Sequence, residues 1–195
     1  MAFDKAYYDR YYGDPRTAVT SRAEMAQRAR LIAAAADYVG LPVRSVLDAG
    51  CGMGLMRRPL CQALPRAVYT GLEASDYLCR RFGWQQGLLQ DWRPPRRQRY
   101  DIVVCYDVLQ YLEREAARRA IANLGRLCRG LLYCSALTRE DWEHNCDQRL
   151  TDKVPGIRPV AWYRRELKRS FVPLGCSLWL HRAAPVVTWA MDHVA

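Results

Sequence analysis

A glycine-rich turn at residues 46–55, with the sequence VLDAGCGMGL, limits the folds open to this chain. The apolar run at residues 43–47 predicts a buried strand, which ends at Asp48 and passes through three alternating glycines into a helical segment. Glycine permits positive φ and lets a ligand lie against bare backbone, and the following helix offers free N–H groups in its first turn. The stretch therefore predicts a nucleotide-type site at the carboxyl end of a parallel strand.

The spacing of the glycines distinguishes between two kinds of nucleotide site. A dinucleotide fingerprint, G-x-G-x-x-G, would need a third glycine at position 55, where the chain has Leu55. The observed spacing is G-x-G-x-G, and Asp48 stands two residues before Gly50. A pyrophosphate favours a bare helix N-terminus, whereas a carboxylate at the strand end suits a ligand that carries an ammonium group. The alternative is a tight strand-to-helix turn without a ligand.

The rest of the chain predicts strands that alternate with helices in a single domain, residues 1–195. A capping box at Ser21 begins a first helix, which Gly40 ends. Near the C-terminus the pattern predicts a helix that reaches Phe171, followed by two strands. After the glycine turn, strands are predicted at residues 67–72, 87–90, 102–105, 131–137, 176–180 and 186–191, and helices at about 54–63, 76–82 and 113–129.

Two stretches resemble motifs of the class I S-adenosylmethionine-dependent methyltransferases. Residues 47–54 resemble the family's first motif, which reads like LDxGCGxG, and residues 100–112 (YDIVVCYDVLQYL) are similar to its fourth-strand motif. Gln110 and Tyr111 replace the two histidines of a run that is common among small-molecule members. The resemblance covers residues 43–137 and implies an α/β fold with a doubly wound, mostly parallel seven-stranded sheet and a C-terminal antiparallel hairpin. It also implies S-adenosyl-L-methionine as cofactor and a small molecule as methyl acceptor.

Glu73 follows the second predicted strand, 23 residues after Gly50. This is close to the spacing at which a strand-end acid meets ribose hydroxyls, and two carboxylate oxygens can accept both protons of a diol. A lone glutamate after a strand is otherwise typical of a helix N-terminal charge. With the glycine turn upstream, ribose binding is the favoured interpretation.

The resemblance implies that several groups surround the methionine end of the cofactor. Asp48 and the backbone of Gly50 and Gly52 would hold this end, and the backbone at Cys105 would line it. The methyl donor is already a sulfonium, so catalysis would rest mainly on holding the nucleophile and the methyl carbon in line.

Asp91 and Trp92 directly follow the third predicted strand. In the resembled family an acid at this place often accepts a hydrogen bond from the adenine amino group, which implies this role for Asp91. Trp92 would cover the adenine ring.

Residues 138–158 break the alternating pattern and form an insertion after the fifth predicted strand. Function in open α/β sheets lies on the rim at the carboxyl ends of the strands, so the insertion predicts the acceptor pocket. His144 is the histidine closest to that rim, and an imidazole suits a general base because it titrates near working pH; a surface role is the alternative. Tyr106 and Asp107, after the fourth strand, are the other candidate catalytic residues.

Residues 1–20 are rich in tyrosine, with Tyr7, Tyr8, Tyr11 and Tyr12 close together. Tyrosine packs and hydrogen-bonds at once, so this arm is either a flap over the ligand site or a latch that fastens the N-terminus to the domain. The pattern favours neither interpretation.

The net charge of +10 comes almost entirely from arginine. A basic protein can bind nucleic acid, but scattered arginines are typical of solvated helix faces. A small-molecule partner is therefore favoured, and an RNA methyltransferase or a non-catalytic module of the same fold is the alternative.

Composition also bears on location and metals. No run of 18 apolar residues occurs, which predicts no membrane span. The first residues lack the apolar core of a secretory signal, which predicts a cytoplasmic protein. None of the eight cysteines forms a C-x-x-C pair, so we expect free thiols and no metal site.

Overall fold

Seven strands of one sheet form the centre of the molecule in the computed structural model, which describes Tyr8, residues 20–148, Thr151 and residues 156–194. The order across the sheet is β3-β2-β1-β4-β5-β7-β6. The first five strands in that order are parallel, whereas β7 runs antiparallel to β5 and to β6. This confirms the expected doubly wound sheet with an antiparallel C-terminal hairpin. The strands are β1 (Ser45–Ala49), β2 (Val68–Glu73), β3 (Gln85–Gln86), β4 (Tyr100–Tyr106), β5 (Cys128–Ser135), β6 (Phe171–Gly175) and β7 (Leu178–His181).

The helices begin and end at local signals in the sequence. The Ser21 hydroxyl accepts from the Glu24 N–H at 3.1 Å, and the Glu24 carboxylate accepts from the Ser21 N–H at 2.8 Å, which completes the predicted capping box. Gly83 ends the third helix in the left-handed region, at φ 71°. The helices are α1 (Arg22–Tyr38), α2 (Arg57–Ala63), α3 (Asp76–Phe82), α4 (Arg114–Leu127), α5 (Arg139–His144) and α6 (Val160–Leu167).

Strand β4 is buried on both faces of the sheet. Ile102 and Val104 belong to the core layer that includes residues of α1 and α2, and Val103 and Cys105 belong to the layer that includes residues of α4 and α6. Successive residues of a strand point to opposite faces of the sheet. Both faces of β4 are covered, so all four side chains are fully buried. A central parallel strand therefore needs the continuous apolar run that the sequence carries here.

Strand β1 lies between β2 and β4, so the strand order reverses at this point. Open α/β sheets have a crevice at such a reversal, outside the carboxyl ends of the strands. Asp48 near the end of β1, Glu73 at the end of β2 and Tyr106 at the end of β4 consequently share one rim.

The third strand is shorter and earlier than predicted. Residues 87–90, expected to form it, make a turn after the two-residue β3. The Gly87 N–H still donates to the Glu73 carbonyl at 2.9 Å, but the N–H groups of Asp91 and Trp92 both donate to the carbonyl of Leu88. The turn satisfies the backbone locally, so pairing with β2 stops.

The predicted helix through Phe171 is wrong in its last turn. Helix α6 ends at Leu167, the Ser170 N–H closes a turn on the Leu167 carbonyl at 3.1 Å, and Phe171 begins β6. Phe171 is buried, but it belongs to strand β6 and not to the helix. Its helical spacing from Tyr163 is therefore a coincidence.

The closing strand predicted at residues 186–191 does not form. The hairpin is made instead by β6 and β7, so β6 takes the edge of the sheet, where Pro173 is tolerated. Residues Ala190–Asp192 form a short 3-10 turn, and the Met191 side chain is exposed.

Two further predicted segments are partly described. The arm at residues 1–20 is described only at Tyr8 and Thr20, so its interpretation as flap or latch lies outside the described residues. The insertion at residues 138–158 begins with α5, and a parallel bridge between Thr138 and Arg158 brings its two ends together.

Candidate active site

A cleft opens at the carboxyl ends of β1, β2 and β4, and the space between its walls, open solvent included, is about 1090 Å³. The glycine turn, the segment after β4 and the turn after β3 contribute to its walls. Its polar and glycine lining includes Asp48, Gly50, Gly52, Glu73, Gln90, Tyr106 and Asp107.

The glycine turn borders the cleft with backbone in the left-handed region, at φ 80° for Gly50 and 51° for Gly52. A Cβ at Gly50 would lie 2.3 Å from a methyl carbon of Val108, so the segment after β4 packs directly on bare backbone there. At Gly52 a Cβ would meet no atom of the described residues within 4 Å. The backbone of Gly52 is therefore open to a ligand, as only glycine allows without strain.

Three backbone N–H groups hold the buried carboxylate of Glu73. Its Oε2 accepts from Gly52 at 2.8 Å, and its Oε1 accepts from Ala74 and Ser75 at 2.8 and 2.9 Å. A carboxylate offers about four lone-pair sites, so one site on Oε2 is left for a ligand hydroxyl. The carboxylate is thus fixed in place without any ligand.

Asp48 is buried at the end of β1, and the Tyr69 hydroxyl donates to its Oδ2 at 2.7 Å. Burial raises the pKa of the Asp48 carboxyl to about 7; the Tyr69 hydrogen bond opposes this rise, and the nearby charge of Glu73 adds to it. Among the described residues no lysine or arginine forms an ion pair with Asp48. A cationic group in the cleft would therefore stabilise the charged carboxylate.

The structure does not bring Asp91 and Trp92 to the cleft. The Asp91 side chain is 61% exposed and lies 3.7 Å from the Arg119 guanidinium, while Trp92 packs against the core and against Gly87. Gln90 lines the cleft instead, and its Oε1 is buried without a hydrogen-bond partner in the described part of the chain. Sequence reasoning missed Gln90, although the polar residue directly before Asp91 was a possible signal.

Tyr106 and Asp107, two of the catalytic candidates from the sequence, both line the cleft. Asp107 adopts φ 55°, an uncommon conformation for a residue with a side chain, and its N–H donates to the Ser135 carbonyl at 3.0 Å. Gln110 donates to the Asp107 carboxylate at 3.3 Å. Burial raises the pKa of Asp107, and hydrogen bonds from Gln110 and Tyr106 reduce the rise. The Arg28 guanidinium lies 4.8 Å from the Tyr106 ring.

Two other predicted residues do not line the cleft with their side chains. Cys105 is fully buried in β4, in hydrogen-bonding contact with the thiol of Cys134 on the neighbouring strand. His144 is exposed at the end of α5. The structure therefore separates His144 from Asp107, with which the sequence grouped it.

The buried guanidinium of Arg158 ties the insertion to the wall of the cleft. It donates to the carbonyls of Leu109 at 3.2 Å and Gly156 at 2.6 Å, and to that of Leu112. Leu112 lines the cleft, so Arg158 stabilises the turn after β4. One arginine among many in this chain gives no local signal for such a role.

The described residues contain neither a metal-binding cluster nor a membrane-spanning helix. No group of three or more His, Cys, Asp or Glu side chains in that part of the chain is arranged to hold a metal ion. No helix there has the length and apolar character needed to cross a membrane.

Comparisons with known proteins agree with this geometry. A family model described as a methyltransferase domain matches residues 47–130. No curated protein matches the chain. One similar solved structure is the magnesium protoporphyrin IX methyltransferase ChlM from Synechocystis PCC 6803, with bound S-adenosylhomocysteine (SAH). Its sequence is 25% identical to this chain, and the TM-score is 0.58. The match covers 87% of this chain and 86% of ChlM.

Two further solved structures share the fold at lower identity. The plantazolicin methyltransferase BpumL, in complex with a triazolic desmethylPZN analog and SAH, is 15% identical with a TM-score of 0.62, over 84% of this chain and 72% of that chain. DesVI from Streptomyces venezuelae is 20% identical with a TM-score of 0.52, over 72% of this chain and 61% of that chain.

The strand order, the cleft at the strand reversal and the matched domain define an α/β methyltransferase. More particularly, the matched domain and the fold are those of S-adenosylmethionine-dependent methyltransferases.

Proposed function

We propose that this enzyme transfers the methyl group of S-adenosylmethionine to a small-molecule acceptor. The observation that carries the proposal is the pair of buried carboxylates, Asp48 and Glu73, on either side of a glycine turn that borders the cleft. ChlM is described as a methyltransferase of magnesium protoporphyrin IX and BpumL as one of plantazolicin. Both are small molecules, which supports an acceptor of this class.

The groups around the glycine turn fit a cationic amino acid attached to a nucleoside. Asp48 has no cationic partner among the described residues, so it would bind the ammonium group of the donor. The backbone of Gly50, the open backbone of Gly52 and the backbone at Cys105 would line the methionine end. Glu73 would accept from a ribose hydroxyl at the free site on Oε2.

Gln90 would bind the adenine in place of Asp91 and Trp92. Its buried Oε1 lacks a partner among the described residues, and leaving a buried acceptor unpaired costs about 1–3 kcal/mol. The exocyclic amino group of adenine is a donor that can satisfy it. The exposed ion pair of Asp91 with Arg119 supports this change from the role that the family resemblance implies.

The acceptor would bind beside Tyr106 and Asp107. When bound, S-adenosylmethionine supplies a methyl group on a sulfonium, so the protein need not activate the carbon. The residues of the cleft hold the acceptor in line with that carbon, which is the main source of rate. Where the attacking atom carries a proton, the Asp107 carboxylate accepts it, because its raised pKa favours proton uptake.

The cytoplasm is the location we propose for this reaction. The eight cysteines of the chain are all free thiols. Such a count without a disulfide supports a reducing compartment.

Two measurements test the proposed function. Isothermal titration with S-adenosylmethionine should give a saturable heat, and no heat at millimolar donor would favour a non-catalytic module. Incubation of the enzyme with a metabolite extract and isotopically labelled donor, followed by mass detection, should label a small molecule. Label that enters only added RNA would contradict the proposed acceptor class.

A further inference from the structure

Two aromatic residues behind the glycine turn contact the polar groups of the cleft from outside. Tyr69 donates its hydroxyl proton to Oδ2 of Asp48 at 2.7 Å. Trp84 donates its indole N–H to the carbonyl of Gly52 at 3.0 Å. Neither Tyr69 nor Trp84 lines the cleft. Each is therefore a support for a group that faces the ligand.

The register of the sheet explains the position of Tyr69. Val46 pairs with Tyr69 and Asp48 pairs with Gly71 across the parallel strands β1 and β2. Residues two apart on a strand share a face, so Asp48 points to the same face as Val46. Tyr69, the partner of Val46, therefore also lies on the face of Asp48. Its hydroxyl reaches up to the carboxylate past the position of Gly71.

The missing side chain of Gly71 makes room for Trp84. A Cβ at Gly71 would lie 2.7 Å from the Trp84 ring, and a Cβ at Gly54 would also lie 2.7 Å from it. The ring thus fills the space between β2 and the glycine turn. The centroids of the Tyr69 and Trp84 rings lie 6.1 Å apart. The Arg57 guanidinium lies 5.4 Å from the centroid of the Trp84 ring.

These contacts fix both sides of one residue of the glycine turn. The Gly52 N–H donates to Glu73 at 2.8 Å, and the Gly52 carbonyl accepts from Trp84. Glycine is the residue with the greatest backbone freedom, so without these two bonds the turn would sample other conformations. Trp84 therefore limits the motion of the backbone that faces the cleft.

We propose that Tyr69 and Trp84 are positioning residues of the cofactor site, which hold the Asp48 carboxylate and the Gly52 backbone ready for the amino acid end of the methyl donor. The inference rests on the proposed function, in which Asp48 and Gly52 contact that end. It extends the site to two residues outside the glycine motif and outside the cleft.

The groups that face Asp48 determine how Tyr69 acts on its charge. Glu73 on β2 raises the pKa of Asp48 through its negative charge. The charge of Asp48 in turn adds to the rise in the pKa values of the buried thiols of Cys51 in the turn and Cys105 on β4. The Tyr69 hydrogen bond favours the carboxylate. Without that bond the pKa of Asp48 rises above about 7, and a smaller fraction of Asp48 is charged at neutral pH.

Calorimetric titration with SAH between pH 6 and pH 8.5 tests both residues. Wild-type affinity should rise with pH through about 7, as Asp48 ionises. Tyr69→Phe keeps the ring and loses the hydroxyl, so its rise should move to higher pH, with about tenfold weaker binding at pH 7. Trp84→Phe loses the N–H donor, so its affinity should fall about tenfold at every pH, without a shift of the midpoint.

Matched controls come from the same sheet. Tyr100→Phe and Trp179→Phe change buried rings of β4 and β7 that lie outside the cleft lining, and both should keep the wild-type profile. Circular dichroism verifies that each variant is folded. Trp84→His, which keeps a ring N–H donor, should bind SAH more tightly than Trp84→Phe, and it replaces that variant if Trp84→Phe does not fold.

The outcomes separate this inference from the proposed function. A Tyr69→Phe midpoint equal to the wild-type midpoint overturns the role of Tyr69, and wild-type affinity in Trp84→Phe overturns the role of Trp84. If wild-type protein does not bind SAH, the proposed function itself fails. If Asp48→Asn weakens binding while both aromatic variants bind normally, the inference alone fails.

Discussion

The carboxylate of Glu73 accepts the backbone N–H of Gly52 at 2.8 Å, and so joins the end of β2 to the glycine turn that follows β1. Glu73, which we propose to bind the ribose, is thereby held by Gly52, whose backbone we propose to lie along the methionine end. The bond also keeps the turn in a left-handed conformation that faces the cleft. Preorganisation of this kind lowers the entropy that a ligand must remove on binding.

Replacement of Glu73 is expected to weaken cofactor binding. Glu73→Gln puts an amide donor where an acceptor is needed, so SAH affinity should fall by about 1–3 kcal/mol, or roughly 5- to 150-fold, in a calorimetric titration. Asp91→Asn is the matched control, because Asp91 is exposed, and it should bind SAH as the wild type does. Strong loss in Asp91→Asn with normal binding in Glu73→Gln would restore the adenine role implied by the family resemblance.

Alanine at two glycines should separate cofactor binding from stability. Gly40 and Gly52 both have positive φ, and in the described part of the chain a Cβ at either has no neighbouring atom within 4 Å. Each substitution should cost about 1–2 kcal/mol of backbone strain in urea unfolding. Gly52→Ala should in addition lose SAH binding, since its methyl group enters the cleft, whereas Gly40→Ala should bind normally.

Gly50→Ala should be more destabilising than either of these. Its Cβ would lie 2.3 Å from a Val108 methyl carbon, so steric overlap adds to the strain of φ 80°. Urea unfolding should show a larger loss than in Gly40→Ala. Val108→Ala removes that methyl carbon, so the double variant should recover part of the stability; no recovery would mean that overlap with Val108 is not the cause.

The charge state of Asp48 makes stability without ligand depend on pH. Its pKa is about 7 in the folded protein against 3.8 for a free carboxyl, so the folded state binds more protons than the unfolded state between these values. The contribution of Asp48 to the free energy of unfolding is therefore greatest below pH 4. It falls by up to roughly 4 kcal/mol as the pH rises through 7. Asp48→Asn lacks this loss, so its advantage over the wild type in urea unfolding should grow from pH 5 to pH 8.

A difference between Asp48→Asn and the wild type that stays constant with pH would contradict this account. It would mean that Asp48 has the same proton affinity in the folded and unfolded states. Comparing the two proteins at each pH cancels the contribution of the other titrating groups.

The acceptor side should respond to Asp107 and not to His144. Asp107→Asn cannot take up a proton, so turnover should fall by roughly 100-fold or more for a protonated acceptor, while SAH affinity is unchanged. The wild-type rate should fall at acid pH, above the range of an ordinary carboxyl, because burial raises the pKa of Asp107. His144→Ala should keep full turnover with labelled donor, and a large loss would return His144 to the site.

The outcome at Gln90 illustrates why the site was only partly predictable. Asp48, Gly52 and Glu73 follow from local pattern, because each stands at the end of a readily recognised strand. The proposed adenine side depends on where β3 stops, and β3 has only two residues. The turn at residues 87–90 brings Gln90 into the cleft and leaves Asp91 exposed.

His144 illustrates a second limit. The sequence places it after β5, on the correct rim, but the direction of a side chain on a short helix depends on how that helix packs. Helix α5 exposes His144, while Arg158 from the other end of the insertion is buried against the turn after β4. Contacts between such distant positions leave no periodic pattern in the chain.

Strands β1, β2, β4 and β5, the left-handed glycines of the turn and the capping box at Ser21 could be read from the chain, because apolar periodicity and backbone sterics act between neighbouring residues. The support of Asp48 by Tyr69, the packing of Trp84 against Gly54 and Gly71, and the edge position of β6 were decided only by the folded protein. They depend on strand register and on side-chain packing between segments far apart in the chain, which local preferences do not specify.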